Sequence, residues 1–324
     1  MSRIYQILVL AFILLHIACQ EDGTLNSENN KSHQMVYPKT PYTIVLGIAQ
    51  DGGFPQAACK KECCKEAFLD FNKRKHVSCL AIVDPTTKQR WIIDATPSYL
   101  EQLYRLDQIF VHPKQVDGIL LTHGHTGHYT GLMNLSREAS SAKHIKTYAM
   151  PRMKKFLETN GPWSQLVKLQ NIDIIPIQDS GIIQLNDNIA VLPFLVPHRD
   201  EFTETVGYKI IGQNKTVVFI PDIDKWSKWD KDIRTVIKQS DRAYLDATFA
   251  EKREINNQSM DSIPHPFIVE SIAYFKDLDS NDKAKVHFIH FNHSNPALHK
   301  DSKIYKTIHS KGHFVSSEGE VFEL

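Results

Sequence analysis

The sequence predicts an α/β fold, a layered sandwich rather than a closed all-β barrel. Runs of β-branched and aliphatic residues recur from Tyr42 to the C-terminus, amphipathic helical stretches interrupt them throughout, and nothing after Tyr42 has the composition of a linker. At 324 residues the chain can bury a large core, and without a linker one domain over residues 41–324 is expected.

The elements follow in order. "YTIVLGIA" (42–49) is a strand stopped by the Gly-rich "QDGG". "SCLAIVD" and "RWIIDA" are strands joined by a turn at "PTTKQ", "SYLEQLYRL" is an amphipathic helix, and "VDGILLTH" is a buried strand. "GLMNLSREA" (131–139) starts a helix, "IKTYA" is a strand, and "MPRMKKFLETN" is a helix. Further on, "IAVLPFLVPH", "VGYKIIG", "TVVFIPD", "RAYLDATF" and "AKVHFIHFNH" are strands, with helices at "IRTVIKQS" and "PFIVESIAYFK".

The N-terminus has the pattern of a targeting segment. Arg3 precedes the apolar run "ILVLAFILL", which is too short to span a bilayer comfortably. Residues 1–18 are expected to be a signal peptide and Cys19 an acylated lipoprotein cysteine, anchoring the chain to a membrane in the periplasm or at the surface of a Gram-negative bacterium. His16 stands where such signals usually carry an aliphatic residue, so a plain secretory signal is the alternative. Polar residues 19–40 predict a flexible tether. Lys and Arg total 38 against 37 Asp and Glu, so no broad basic face invites nucleic acid, and a small-molecule substrate is expected instead.

Sixteen histidines direct attention to metal chemistry, and three of them crowd "LLTHGHTGHYTGL". His123 and His125 share one face of an extended segment, and a turn after Thr126 brings His128 round to the same pocket. Converging imidazoles at the end of a buried strand suit a transition metal, Zn(II) by default.

This stretch resembles the His-x-His-x-Asp-His signature of the metallo-β-lactamase-fold superfamily. Other elements resemble that family in the same order: Asp94 in "WIIDATPS", His198 in "VPHRDEFTETVGYKI", Asp222 in "VVFIPDID", Asp246 in "YLDATF" and His290 in "VHFIHFNH". The resemblance implies a four-layer αβ/βα sandwich of two mixed sheets, with metals at one edge. It also implies a first site of His123, His125 and His198, and a second of His128 and His290, with Asp222 as bridging ligand and catalytic carboxylate. "GIAQDGGFPQAAC" and "HFNHSNPAL" are similar to pyrroloquinoline-quinone biosynthesis B proteins, and the cysteine-rich stretch resembles the cyclic phosphodiesterase of phosphonate breakdown.

Gly127 departs from the signature, because the family aspartate there is a ligand of the second metal. Asp51 in "QDGG" is the candidate replacement, the alternative being a turn residue bonded to its own backbone. If Asp51 fills the gap, an aspartate restored at 127 is expected to substitute for it. By resemblance to the phosphodiesterase, Cys59, Cys63 or Cys64 would bind a structural zinc with His293, three residues past His290; a Cys59–Cys79 disulfide and free buried thiols are the alternatives. His265, just before a helix, stands where relatives place a proton donor, and otherwise is a helix-capping loop residue. Trp226 and Trp229 are expected to serve packing.

The leading expectation is thus an exported zinc hydrolase with one or two active-site ions, acting on a phosphodiester or cyclic phosphate. An iron-dependent oxidative enzyme like the quinone-biosynthesis proteins is the first alternative. A non-catalytic metal-binding protein of the envelope is the second.

Overall fold

The structure, a computed structural model, describes residues 37–255 and 259–324. The expected signal segment, Cys19 and most of the tether lie outside the described residues.

Two mixed seven-stranded sheets pack face to face. The first contains β1 (Tyr42–Gly47), β2 (Cys79–Asp84), β3 (Gln89–Ile93), β4 (Gly118–Leu120), β5 (Ile145–Ala149) and β6 (Ile172–Pro176) in that order, with β14 (Val321–Glu323) beside β1. The second runs from β7 (Ile183–Asn186) through β8 (Ile189–Leu195), β9 (Val206–Ile211), β10 (Thr216–Ile220), β11 (Arg242–Asp246) and β12 (Val286–Ile289) to β13 (Phe314–Val315). Each begins as an antiparallel meander and ends as parallel strands.

Alternation along β1 shows why these strands are continuously apolar. Val45 joins the core between the sheets, whereas Ile44 and Leu46 join a second core under the outer helices α2 (Tyr99–Asp107) and α4 (Pro151–Thr159). Leu80 and Ile82 of β2 divide from Ala81 and Val83 in the same way. Helices α6 (Ile233–Lys238), α7 (Ile268–Tyr274) and α9 (Lys303–Ser310) cover the second sheet through Ile237, Ile268 and Ile308. Both sheet faces are therefore buried, and a strand buried on both faces loses its polar alternation.

The stretch 131–139 does not form the expected α-helix. It makes a 3₁₀ turn over Thr130–Leu135, in which the Asn134 amide donates to the Gly131 carbonyl and Ser136 leaves in an extended conformation. The cysteine-rich segment forms α1 (Glu62–Leu69), and residues 126–129 form the single turn α3 (Thr126–Tyr129).

The pairing directions decide where chemistry can sit. β1, β3 and β4 run the same way, as do β8, β10, β11 and β12. Each of the singled-out active-site residues Asp51, Asp94, His123, His198, Asp222 and His290 follows the C-terminal end of one of these strands. Loops at the C-terminal ends of such strands are the usual place for a ligand crevice in α/β sheets.

Candidate metal centre

His123 and His125 leave β4 in extended backbone, and His128 returns on the single turn of α3. Together with His198 from the loop after β8 and Asp222 from the loop after β10, His123 and His125 gather four ligand atoms within 4.8 Å of one another. His123 Nε2 lies 2.9 Å from His125 Nδ1 and 3.4 Å from Asp222 Oδ2, and His198 Nε2 lies 3.6 Å from Asp222 Oδ1.

A second group of four comprises Asp51, His128, Asp222 and His290. His128 Nε2 is 3.2 Å from both Asp51 Oδ1 and Asp222 Oδ2; His290 Nε2 is 3.3 and 3.5 Å from the same two oxygens. Tetrahedral zinc with bonds of 2.0–2.1 Å has ligand–ligand edges of about 3.3–3.4 Å. These separations match that spacing. Asp222 Oδ2 faces histidines of both groups, which is the geometry of a shared carboxylate.

Both nitrogens of the buried His198 ring, and Asp222 Oδ1, have no hydrogen-bond partner among the described residues. An unsatisfied buried polar atom costs about 1–3 kcal/mol, so three together fit a site built around a cation. Burial brings His198 down to about 4 and also lowers His123, which leaves both rings neutral with lone pairs to offer. Burial opposes ionisation of Asp51 and Asp222, but the surrounding histidines hold both carboxyls well below the usual range.

Two Thr–Asp pairs orient the imidazoles. Asp94 accepts from His128 Nδ1 at 2.7 Å and from the Thr122 hydroxyl at 2.9 Å, and Thr122 Oγ1 accepts from His123 Nδ1 at 3.0 Å. In the other sheet, Asp246 accepts from His265 Nδ1 at 2.8 Å and from Thr248 at 2.7 Å, and Thr248 Oγ1 accepts from His290 Nδ1 at 2.9 Å. Fixing Nδ1–H in this way turns each Nε2 lone pair of His123, His128 and His290 toward the centre. His125 is reversed: it offers Nδ1 and donates from Nε2 to Glu201 at 3.1 Å. Thr122, Glu201 and Thr248 were not singled out from the sequence. Their signal is a hydroxyl or carboxylate close to a histidine, which is too common to read without the fold.

The side chain of Asp51 does not close its own turn; the Gly53 N–H bonds the Gln50 carbonyl instead. Its carboxylate enters the space that a side chain at 127 would fill. A Cβ built on Gly127 would lie 2.6 Å from both Asp51 Cα and Cγ. The two positions exclude each other, and an aspartate at 127 would strike the backbone of residue 51 whatever its side chain. The expected rescue by Gly127→Asp is therefore corrected: the site has no room for it.

His265 does not cap a helix, since Phe267 is the N-cap of α7. It packs beside the centre, with Nδ1 3.2 Å from Asp222 Oδ1. Burial would lower its pKa, but Asp246 and Asp222 hold it above the ordinary value. A cavity of about 440 Å³ opens beside His198, walled by Trp229, Thr205, Lys228, Asp200, Glu204 and Asp230. Trp229 thus packs and lines a cavity at once, while Trp226 is buried and donates to Ser271.

Cys59, Cys63, Cys64 and His293 form a third cluster. Cys64 Sγ and Cys63 Sγ lie 3.3 and 3.8 Å from His293 Nδ1 and 4.0 Å from each other. Zinc bonds of about 2.3 Å to sulfur and 2.0–2.1 Å to nitrogen give edges of roughly 3.6–3.8 Å, so this set also fits an ion. Cys59 and Cys79 are both free, Cys79 bonding the Asp94 carbonyl, so the disulfide alternative is not what the fold forms.

A family profile for the "Beta-lactamase superfamily domain" matches residues 89–291. Coenzyme PQQ synthesis protein B of Methylorubrum extorquens (strain PA1) is 24% identical over 315 residues, covering 87% of this chain and 100% of that protein. The crystal structure of Zn(2+)-bound PqqB from Methylobacterium extorquens superposes with a TM-score of 0.74 at 21% identity, over 87% of this chain and 100% of that one. A diphosphatase from the PhnP family superposes with a TM-score of 0.63 at 19% identity, over 88% and 97%. With two mixed sheets in the expected sandwich, and clusters able to hold metal at its edge, the chain belongs to the beta-lactamase superfamily domain family and has the metallo-β-lactamase fold.

Proposed function

We propose that this protein is a zinc-dependent hydrolase of a phosphodiester or cyclic phosphate, with His123, His125 and His198 holding one ion, His128, His290 and Asp51 a second, and Asp222 both. The observation that carries this reading is Asp222, whose two oxygens face both histidine sets and His265 at once. An ion in the first set supplies Lewis acidity and lowers the pKa of a coordinated water. Asp246 holds His265 Nδ1, which leaves Nε2 to carry a proton to a leaving oxygen. Nearby basic side chains are already engaged: Arg152 pairs with Asp200 and Lys228 with Asp224. Neutralising an anionic substrate would therefore fall to the ions rather than to an arginine clamp. The cysteine cluster is read as a structural zinc site.

The test is purification without added metal, elemental analysis, and assays with bis(p-nitrophenyl) phosphate and nucleoside 2′,3′-cyclic phosphates. Zinc content together with turnover that His123→Ala abolishes supports the reading; a metal-loaded protein inert to both substrate types contradicts it.

A second reading, an iron-dependent oxidative enzyme, rests on the resemblance to proteins named for PQQ synthesis. Iron retained on purification, with no phosphodiesterase activity, would select it.

A further inference from the structure

We propose that the Cys59–Cys63–Cys64–His293 cluster is a positioning device for the second ligand set and not for the first. The inference rests on the reading of both clusters as ion sites. It follows from where Asp51 stands. A carboxylate at 127 would belong to the same loop as the other histidines of the signature; moved to 51, it belongs to the segment that leads into the cysteines.

Both chain segments that the cluster joins carry second-set ligands. Asp51 precedes Cys59 on one, and His290 precedes His293 on the other. The two run side by side, with Gln50 N–H donating to the Phe291 carbonyl and Phe291 N–H to the Ile48 carbonyl, both at 2.8 Å. Beyond that seam little apolar burial secures the segment between β1 and β2. Its core is Ala49, Phe54, Cys64 and Ala67, while Phe68, Leu69 and Phe71 are 44%, 82% and 73% exposed. Phe54 pairs with Lys75 inside the segment. The segment's further backbone bonds to the rest of the fold gather at the end next to β2, where His76 N–H donates to Glu318, Val77 N–H to Ser98, and the Val77 carbonyl accepts from Gln102. So small a local core gains from a cross-link, and where a metal supplies one its binding energy is folding energy. His123, His125 and His198 stand on loops from β4 and β8, which contribute no residue to this cluster. Without the cysteine-bound ion, the segment that carries Asp51 is held against the one that carries His290 less firmly, and the first set keeps its own register.

The test uses the full chain, stripped by chelator and titrated with Co(II). Thiolate charge-transfer absorption reports the cysteine cluster, and magnetic coupling between two ions bridged by Asp222 reports the second site. In Cys63→Ser and Cys59→Ser, with far-UV circular dichroism confirming the fold, the second ion should bind about 10–100-fold more weakly and the first with unchanged affinity. In the wild type, magnetic coupling should never develop ahead of the thiolate band. A variant that has lost the thiolate band yet binds the second ion as tightly as wild type overturns the proposal, as does coupling that precedes the band. Equal weakening of both ions overturns its selectivity. If wild type takes up no Co(II) on its histidines at all, it is the hydrolase reading that fails.

Discussion

The two halves of the centre differ in how their ligands reach it. The first set comes from two loops of the sandwich, with His123 and His125 anchored by β4 and His198 by β8, and it keeps the spacing of the family signature. The second set keeps His128 and His290 but draws its carboxylate from a different loop, the turn after β1. An ion requires an oxygen at a point in space, and two quite different places in the sequence can deliver it. The difference has a consequence for stability: the first set rests on the main cores, the second partly on a thinly packed segment.

Substitutions should break this comparison in a graded way. Asp222→Ala should have the largest effect, because it takes a ligand from both halves; elemental analysis should find neither active-site ion at stoichiometry, and turnover should fall to background. His265→Asn should instead leave both ions in place and lower kcat by roughly 10²–10⁴-fold, the usual contribution of a positioned proton donor. Loss of metal in that variant would mean that the ring serves only to pack Asp222. Glu201→Gln touches a half-exposed carboxylate behind His125, so first-ion affinity should fall by only about 10-fold, the low end for an orienting partner. The second ion should not respond. Smallest of all, Cys19→Ser should leave both halves of the centre untouched. With the lipid anchor on Cys19 that the sequence leads one to expect, it should abolish lipid labelling and release the protein from membranes; wild-type protein that carries no lipid label would leave only a plain secretory signal.

Much of this was legible because burial on both sheet faces writes long apolar runs into the chain. β1, β2, β5 and β9 stand close to where those runs place them. His123, His125 and His128 were legible from spacing, His198 and His290 only through the family resemblance, and the gap at Gly127 pointed to Asp51 only because a carboxylate was missing. Thr122 and Thr248 act through hydrogen bonds between residues brought together by turns or by neighbouring strands, and nothing local to each residue announces that. The 131–139 stretch misled for a related reason. Its apolar spacing is helical, but Leu132 and Leu135 are buried by a turn too short to continue.

The most direct test of the relocated carboxylate is the metal content of Asp51→Ala, read as ions per chain beside wild type. The account predicts loss of one active-site ion with the first and the cysteine-bound ion retained, and no recovery when Gly127→Asp is added, because that Cβ meets the backbone of residue 51. Equal ion content in wild type and Asp51→Ala, or full recovery in the double variant, would contradict it.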